Sequence, residues 1–283
     1  MPPRSNPTAR QERLGAELRK LREGAGITAR SAARAIGMDQ AKMSHLEAGR
    51  VAVGGERVRA LSAHYGVTDG ALVEALATMA DERVRGWWNA YRDVLPQSFL
   101  DLAELEHHAT YVNSIEITQA PGLLQTEEYA RALFTYMDPG RSQADLSARV
   151  EHRLRRQDVL DRTPRLAVEM VIHEAALRIC VADRAVARAQ LERFLEESER
   201  DNVAIRVIPF RAEGFGSPGY SMTYVGGSVP RLDTVQVDAV HAGVLLDDAA
   251  QLRTHRDLYA KVRDLALAPA ESRDLISEVR QQM

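Results

Sequence analysis

A single cysteine, Cys180, stands in 283 residues. No internal disulfide can form, which fits a reducing compartment. Cys180 itself, inside "LRICVAD", is expected to be a small buried apolar residue. No stretch approaches the ~20 apolar residues that a membrane-spanning helix needs. The opening "MPPRSNPTARQE" lacks the apolar run of a signal peptide, so a cytoplasmic protein with no membrane partner is expected. Several catalytic signatures are missing as well. No H-E-x-x-H occurs. "GFGSPG" lacks the G-K-[ST] that completes a phosphate loop, and no G-x-S-x-G elbow surrounds Ser217. That segment reads as a loop between strands. His107 and His108 follow Glu104 on a helix, and His173 precedes Glu174. A lone E-x-x-H is the ordinary composition of a solvated helix face. The expectation is a non-enzyme with no cofactor and no metal.

Lysine is scarce too: only Lys20, Lys42 and Lys261 among 37 basic residues. The net charge of −3 conceals an asymmetry. Residues 1–60 hold 12 Lys/Arg against 6 Asp/Glu, a net +6. The remainder holds 25 against 34, a net −9. A basic end on an acidic body points to a polyanion at one end only. A merely solvated charged face would give the same counts.

Hydrophobic content is 45% and charged content 27%, the mix of a soluble globular chain able to bury real cores. The length suits about two domains. Residues 1–9, with three prolines, read as a flexible arm. The pattern divides the chain into a helical N-terminal domain over 10–80, a helical connector over 81–95 and a larger domain over 96–283. Leu14, Leu18 and Leu21 form one helical stripe. Thr28 and Asp39 are N-caps of two short helices. Gly37 between them suits a sharp turn, and Gly49 ends the second. Ala32 and Ala33 allow close approach; Met43 and Leu46 provide the packing face. Two short helices joined by a glycine turn form a helix-turn-helix unit, although a plain helical core would share the pattern. A helical pattern runs from Asp69 toward Leu95, either as one continuous helix or broken near Gly86.

Beyond Pro96, helices are expected after Thr126, over 142–161 and 183–200, and over 247–267 and 270–281. "RLAVEMVI", "VAIRVIPF", "SMTYV" and "TVQVDAV" alternate like strands. The fold class is mainly α with a smaller β component (α+β). The body would be helices around a small, mostly antiparallel sheet. Trp87 and Trp88 read as core or interdomain packing, or as a ligand cage.

"LRKLREGAGIT", "AARAIGM" and "MSHLEAG", between Leu14 and Tyr65, resemble the λ-repressor-like (Xre-type) helix-turn-helix family. The resemblance implies a five-helix bundle that binds double-stranded DNA, with Gln40 to Ala48 as recognition helix. Gln40, Ala41, Lys42, Ser44, His45 and Arg50 would then face DNA, and Gln40 could pair bidentately with adenine. It also implies a buried ion pair of Arg22 with Glu47, for which an ordinary surface pair is the alternative. Ala29 stands where the family often has a phosphate-touching glutamine, so Thr28, Arg30 and the amides at that helix start must do the positioning.

"APGLLQTEEYARALF", "HEAALRICV" and "NVAIRVIPF" resemble a domain that follows helix-turn-helix heads in antitoxin-like regulators of filamentous bacteria. That resemblance implies a body that forms homodimers and receives a very small regulatory protein encoded nearby. Three readings follow. The first is a homodimeric transcription regulator on a pseudo-palindromic operator, controlled by that partner. The second is a repressor whose body binds a small molecule. The third is an enzyme with a DNA-binding head, which requires His107, His108, His173 and His241 to converge.

Overall fold

The computed structural model describes residues 6–82, 86–238 and 243–283. The chain divides into two compact units, 1–89 and 90–283. The N-terminal unit is a bundle of five helices: α1 (Ala9–Gly24), α2 (Ala29–Ala35), α3 (Gln40–Glu47), α4 (Gly55–His64) and α5 (Gly70–Asp81). Local chemistry sets their starts. Thr8, Thr28, Asp39 and Asp69 each accept a hydrogen bond from a backbone amide in the first turn of the helix they cap. Thr8 and Gln11 form a reciprocal capping box. Thr8, inside the 1–9 segment that reads as an arm, is buried as the cap of α1. The core of the unit joins Leu18, Ala32, Ala33, Met43, Leu46, Leu61 and Leu76, none more than 2% exposed.

α5 stops at Asp81, and Glu82 is extended at φ −68°, ψ 97°. Of the two forms that the sequence leaves open for 69–95, the described residues show a helix that ends at Asp81. The described remainder of that span holds one 3-10 turn, Trp87–Tyr91. Between Ala80 and Trp87 only Val84 is apolar, so no stripe exists for a continuing helix to bury. Trp88 is buried, and its ring meets Trp87 edge-on at 5.9 Å.

The C-terminal unit opens with α6 (Gln97–His108) and β1 (Tyr111–Glu116). α7 (Glu127–Met137), α8 (Gln143–Arg156), β2 (Ala167–His173), α9 (Glu174–Arg178), α10 (Arg184–Glu197) and β3 (Val203–Ile208) follow. β4 (Met222–Gly226), β5 (Thr234–Val237), β6 (Val244–Leu246), α11 (Ala249–Asp264) and α12 (Pro269–Gln282) complete it. The six strands form one mixed sheet in the order β3-β2-β1-β4-β5-β6. The β4 side is antiparallel throughout. β1-β2 and β2-β3 are parallel, with Tyr111 opposite Ala167 and Val168 opposite Val203. Parallel neighbours need a crossover, and the helices between these strands supply it. The α+β class thus holds, with a parallel half that alternation alone does not announce.

The sheet is covered on both faces. Val112, Met170 and Ile205 pack with Tyr129 of α7, Leu177 of α9, Phe194 of α10 and Ile276 of α12. Ile115, Val171 and Val235 pack on the other face with Leu252, Tyr259 and Val262 of α11. Edge strand β3 is protected at Val207. Its amide donates to Ser272 Oγ at 2.9 Å, and its carbonyl accepts from Leu267 N at 2.9 Å.

Candidate nucleic-acid interface

α3 has eight residues, too few to be stable alone in water. It is held by what it buries. Met43 is fully buried and Leu46 nearly so. Burying such side chains contributes about 1.5–3 kcal/mol each. Asp39 Oδ1 caps the helix through Lys42 N at 2.7 Å, and this bond draws its carboxyl below the usual range. Gly37 (φ 65°) makes the turn from α2, and Gly49 (φ 71°) closes the far end.

The packed side of α3 meets α1 backbone to backbone. A Cβ on Gly15 would lie 2.6 Å from the carbonyl oxygens of both Leu46 and Glu47. One on Gly49 would lie 2.8 Å from the Gln11 backbone. Only glycine permits this approach. Arg22 of α1 then grips Glu47 with two bonds, Nε to Oε1 at 2.5 Å and Nη2 to Oε2 at 2.9 Å. Its Nη1 donates to the Ile27 carbonyl at 2.8 Å. The side chains of the pair are 9% and 7% exposed. Burial, with the Glu47 charge adding to it, pushes the nearby Tyr65 hydroxyl up to about 12.

The opposite side of α3 is open. At about 100° per residue, Ala41 and Ser44 occupy its centre and Gln40 its margin. All three are exposed. Ser44 Oγ donates to the Gln40 carbonyl at 3.2 Å, which leaves its lone pairs as acceptors. Lys42 is exposed but sits on the flank, with Nζ 3.6 Å from Asp39. His45 is half-buried rather than fully outward, and Arg50 is exposed just past the helix. Thr28 and Arg30 are exposed at the start of α2. Gly15 was not legible as a site residue: within a leucine stripe it looks like a helix weakness, and only its contact with α3 explains it.

The histidines behave differently. His107 and His108 face each other edge-on at 4.9 Å in the last turn of α6. His173 caps α9 by accepting from Ala175 N at 3.2 Å and stacks on Phe215. His241 lies outside the described residues. Cys180 is exposed, contrary to expectation, because it follows the C-terminal end of the short α9.

Residues 99–278 match the family described as a domain of unknown function, DUF5753. The chain belongs to that family. Residues 13–76 match a helix-turn-helix domain, so the head carries a DNA-binding fold. No curated protein and no solved structure matches the chain. No helix of the described residues is long and apolar enough to cross a membrane.

The DUF5753 region holds an open cavity of about 500 Å³ between α6, α7 and α8. Arg149, Arg153 and Arg156 line it at i, i+4 and i+7 of α8. Arg156 makes a buried two-bond pair with Glu106 of α6, at 2.7 and 2.6 Å. Arg149 lies over the Phe99 ring at 4.8 Å, and Arg153 over Phe134 at 4.7 Å. Beside this wall His152 is fully buried, and burial pushes its imidazole down to about 3. Elsewhere in the DUF5753 region, buried Asp233 accepts from Tyr111 and Tyr224 hydroxyls at 2.9 and 3.0 Å. Its carboxyl is raised by burial.

Proposed function

We propose that this chain is a sequence-specific transcription regulator that reads DNA with α3 and acts by binding rather than by catalysis. One observation carries the reading. α3 keeps a polar face open at Gln40, Ala41 and Ser44 while its other side and its C-terminal end are fixed to α1. The open side chains are not required for packing, and the helix that holds them is rigidly mounted. That is what base readout in a major groove needs. Gln40, near the N-terminal end, supplies paired donor and acceptor groups for an adenine edge. Lys42, Arg50, Thr28 and Arg30 serve the phosphates on either side.

The active form in this proposal is a cytoplasmic bacterial homodimer. Two recognition helices then lie about 34 Å apart on a pseudo-palindromic operator. The input reaches the body through a small protein encoded nearby, in the antitoxin-like manner. The cavity beside Arg149 and Arg153 favours a second reading of that input, a small molecule.

The test is selection of duplexes from a random-sequence pool by the purified protein, followed by anisotropy titration. Enrichment of a two-fold motif, bound more tightly than a scrambled duplex at raised salt, supports the reading. Gln40→Ala should cost about 1–3 kcal/mol at one base position. Ala41→Glu should abolish binding to every duplex by placing a carboxylate at the centre of the face. A pool with no enriched motif, and binding indifferent to both substitutions, refutes it.

A further inference from the structure

The cavity of the DUF5753 region is charged in a way that its own residues do not balance. At its rim Arg141 pairs with Asp138 at 2.6 Å, and at its inner end Arg156 pairs with Glu106. Between them, Arg149 and Arg153 make no ion pair among the described residues. Arg153 donates only to the amide oxygen of Gln125, at 2.6 Å. The Nε atoms of both arginines are buried with no hydrogen-bond partner. Asp238 lines the same cavity and is the one acid there without an ion pair among the described residues. Two guanidinium groups thus share one wall with a single unpaired carboxylate.

Arg149 and Arg153 are partly withdrawn from water and feel acids only at a distance, Asp138 and Asp145 for the first and Asp238 foremost for the second, and such cations are costly to bury without a direct partner. Exposed positions on the same helix would hold arginine at no such cost. Both guanidinium planes are also fixed, because each lies against an aromatic ring. A guanidinium fixed in this way presents a planar fork that suits a carboxylate or a phosphate oxygen pair. Beside them the wall has an apolar part, Phe99, Phe134, Leu133 and Met137, while Ser98, Gln119 and Gln236 keep the rest polar. At about 500 Å³ the space suits a small organic molecule.

We propose that this cavity binds an amphipathic organic anion, with its carboxylate or phosphate held between Arg149 and Arg153 and its apolar body against Phe99, Phe134, Leu133 and Met137. The proposal deepens the small-molecule reading of the input and is independent of base readout by α3.

The test uses the full chain and two related fluorescent probes. 8-Anilinonaphthalene-1-sulfonate is an aromatic anion; N-phenyl-1-naphthylamine is its uncharged counterpart. The anion should bind at one site per chain and at least about tenfold more tightly than the neutral probe, the yield of one charge-assisted hydrogen bond. Arg149→Gln with Arg153→Gln should remove that advantage and leave the neutral probe unchanged. Loosening of the fold cannot imitate this result, since partly unfolded chains raise the fluorescence of the sulfonate probe. Displacement by decanoate, or by decyl phosphate, identifies the preferred head group, and decanol should fail. Equal affinity for the two probes overturns the proposal even if the double variant does not fold. So does an anion titration indifferent to the double substitution. Anion binding that leaves DNA affinity unaltered supports the site and sinks the small-molecule reading of the input.

Discussion

Glu47→Gln keeps the shape of the Glu47 side chain and removes its charge. Arg22 would then hold a buried guanidinium whose two bonds, at 2.5 and 2.9 Å, have lost their anion. Breaking a fully buried pair costs about 3–5 kcal/mol. Two features lower the figure here. Glu23 remains 3.2 Å from Arg22 and is half exposed, so part of the charge stays compensated. The Ile27 carbonyl also keeps its bond. We expect about 1.5–3 kcal/mol, the worth of hydrogen bonds to a charged group. Hydrogen exchange of peptides from α1 and α3 in the full chain measures this locally. Exchange should accelerate roughly 10- to 150-fold at a tenfold per 1.4 kcal/mol. Arg22→Met with Glu47→Leu should restore most of the protection, because apolar replacement of both partners removes the stranded charge. A double-mutant cycle with alanines should give a coupling above about 1 kcal/mol. A coupling below about 0.5 kcal/mol would refute the reasoning, since exposed surface pairs reach that value.

Other outcomes follow from the same structure. Gly15→Ala should move α3 outward, because its Cβ would meet two backbone carbonyls at 2.6 Å; overpacking of this kind costs about 1–3 kcal/mol, and DNA affinity should fall more than thermal stability. An unchanged DNA isotherm would contradict it. Burial raises the Glu116 carboxyl from 4.5 to about 8, with the Asp238 charge adding to the effect. The folded chain therefore keeps a proton that the unfolded chain releases between those values, so the contribution of this group to stability is fullest below pH 4.5 and is lost as pH rises through about 8. Glu116→Gln should remove this slope, gaining on the parent by at most about 1.4 kcal/mol per pH unit across the window; a urea midpoint difference equal at pH 5 and pH 8 would count against it. Ser272→Ala leaves the Val207 amide unpaired, for which about 1–3 kcal/mol of destabilisation is expected in urea unfolding. Retention of full stability would mean that another acceptor reaches that amide.

The head was legible because each signal there is local. The leucine stripe, the caps Thr28 and Asp39, and the turn glycines act within a few residues of themselves. Gly15 is the exception, since its reason lies in the carbonyls of Leu46 and Glu47, which are distant in sequence. In the body, alternation marks a strand but carries no direction, so β2 and β3 could be found without being known as parallel. β6 spans three residues and offers no period at all. Arg149 and Arg153 look like part of a solvated helix face in "SARVEHRLRRQ". Their spacing of four, continued to Arg156, was the available hint, and it gained meaning only when α6 and α7 supplied the opposing walls. Cys180 misled because residue type was taken for environment.

The anchoring of α3 through Gly15, Gly49 and the Arg22–Glu47 pair divides its residues into two sets with almost no overlap. One set holds the fold, and the other faces outward. Substitutions at Gln40 and Ala41 therefore carry little penalty in folding, and under the proposed base readout relatives built on this bundle would drift to new operators through them one base preference at a time. The same partition makes the helix a cassette: its outer residues can be rewritten by design while the mount stays as it is.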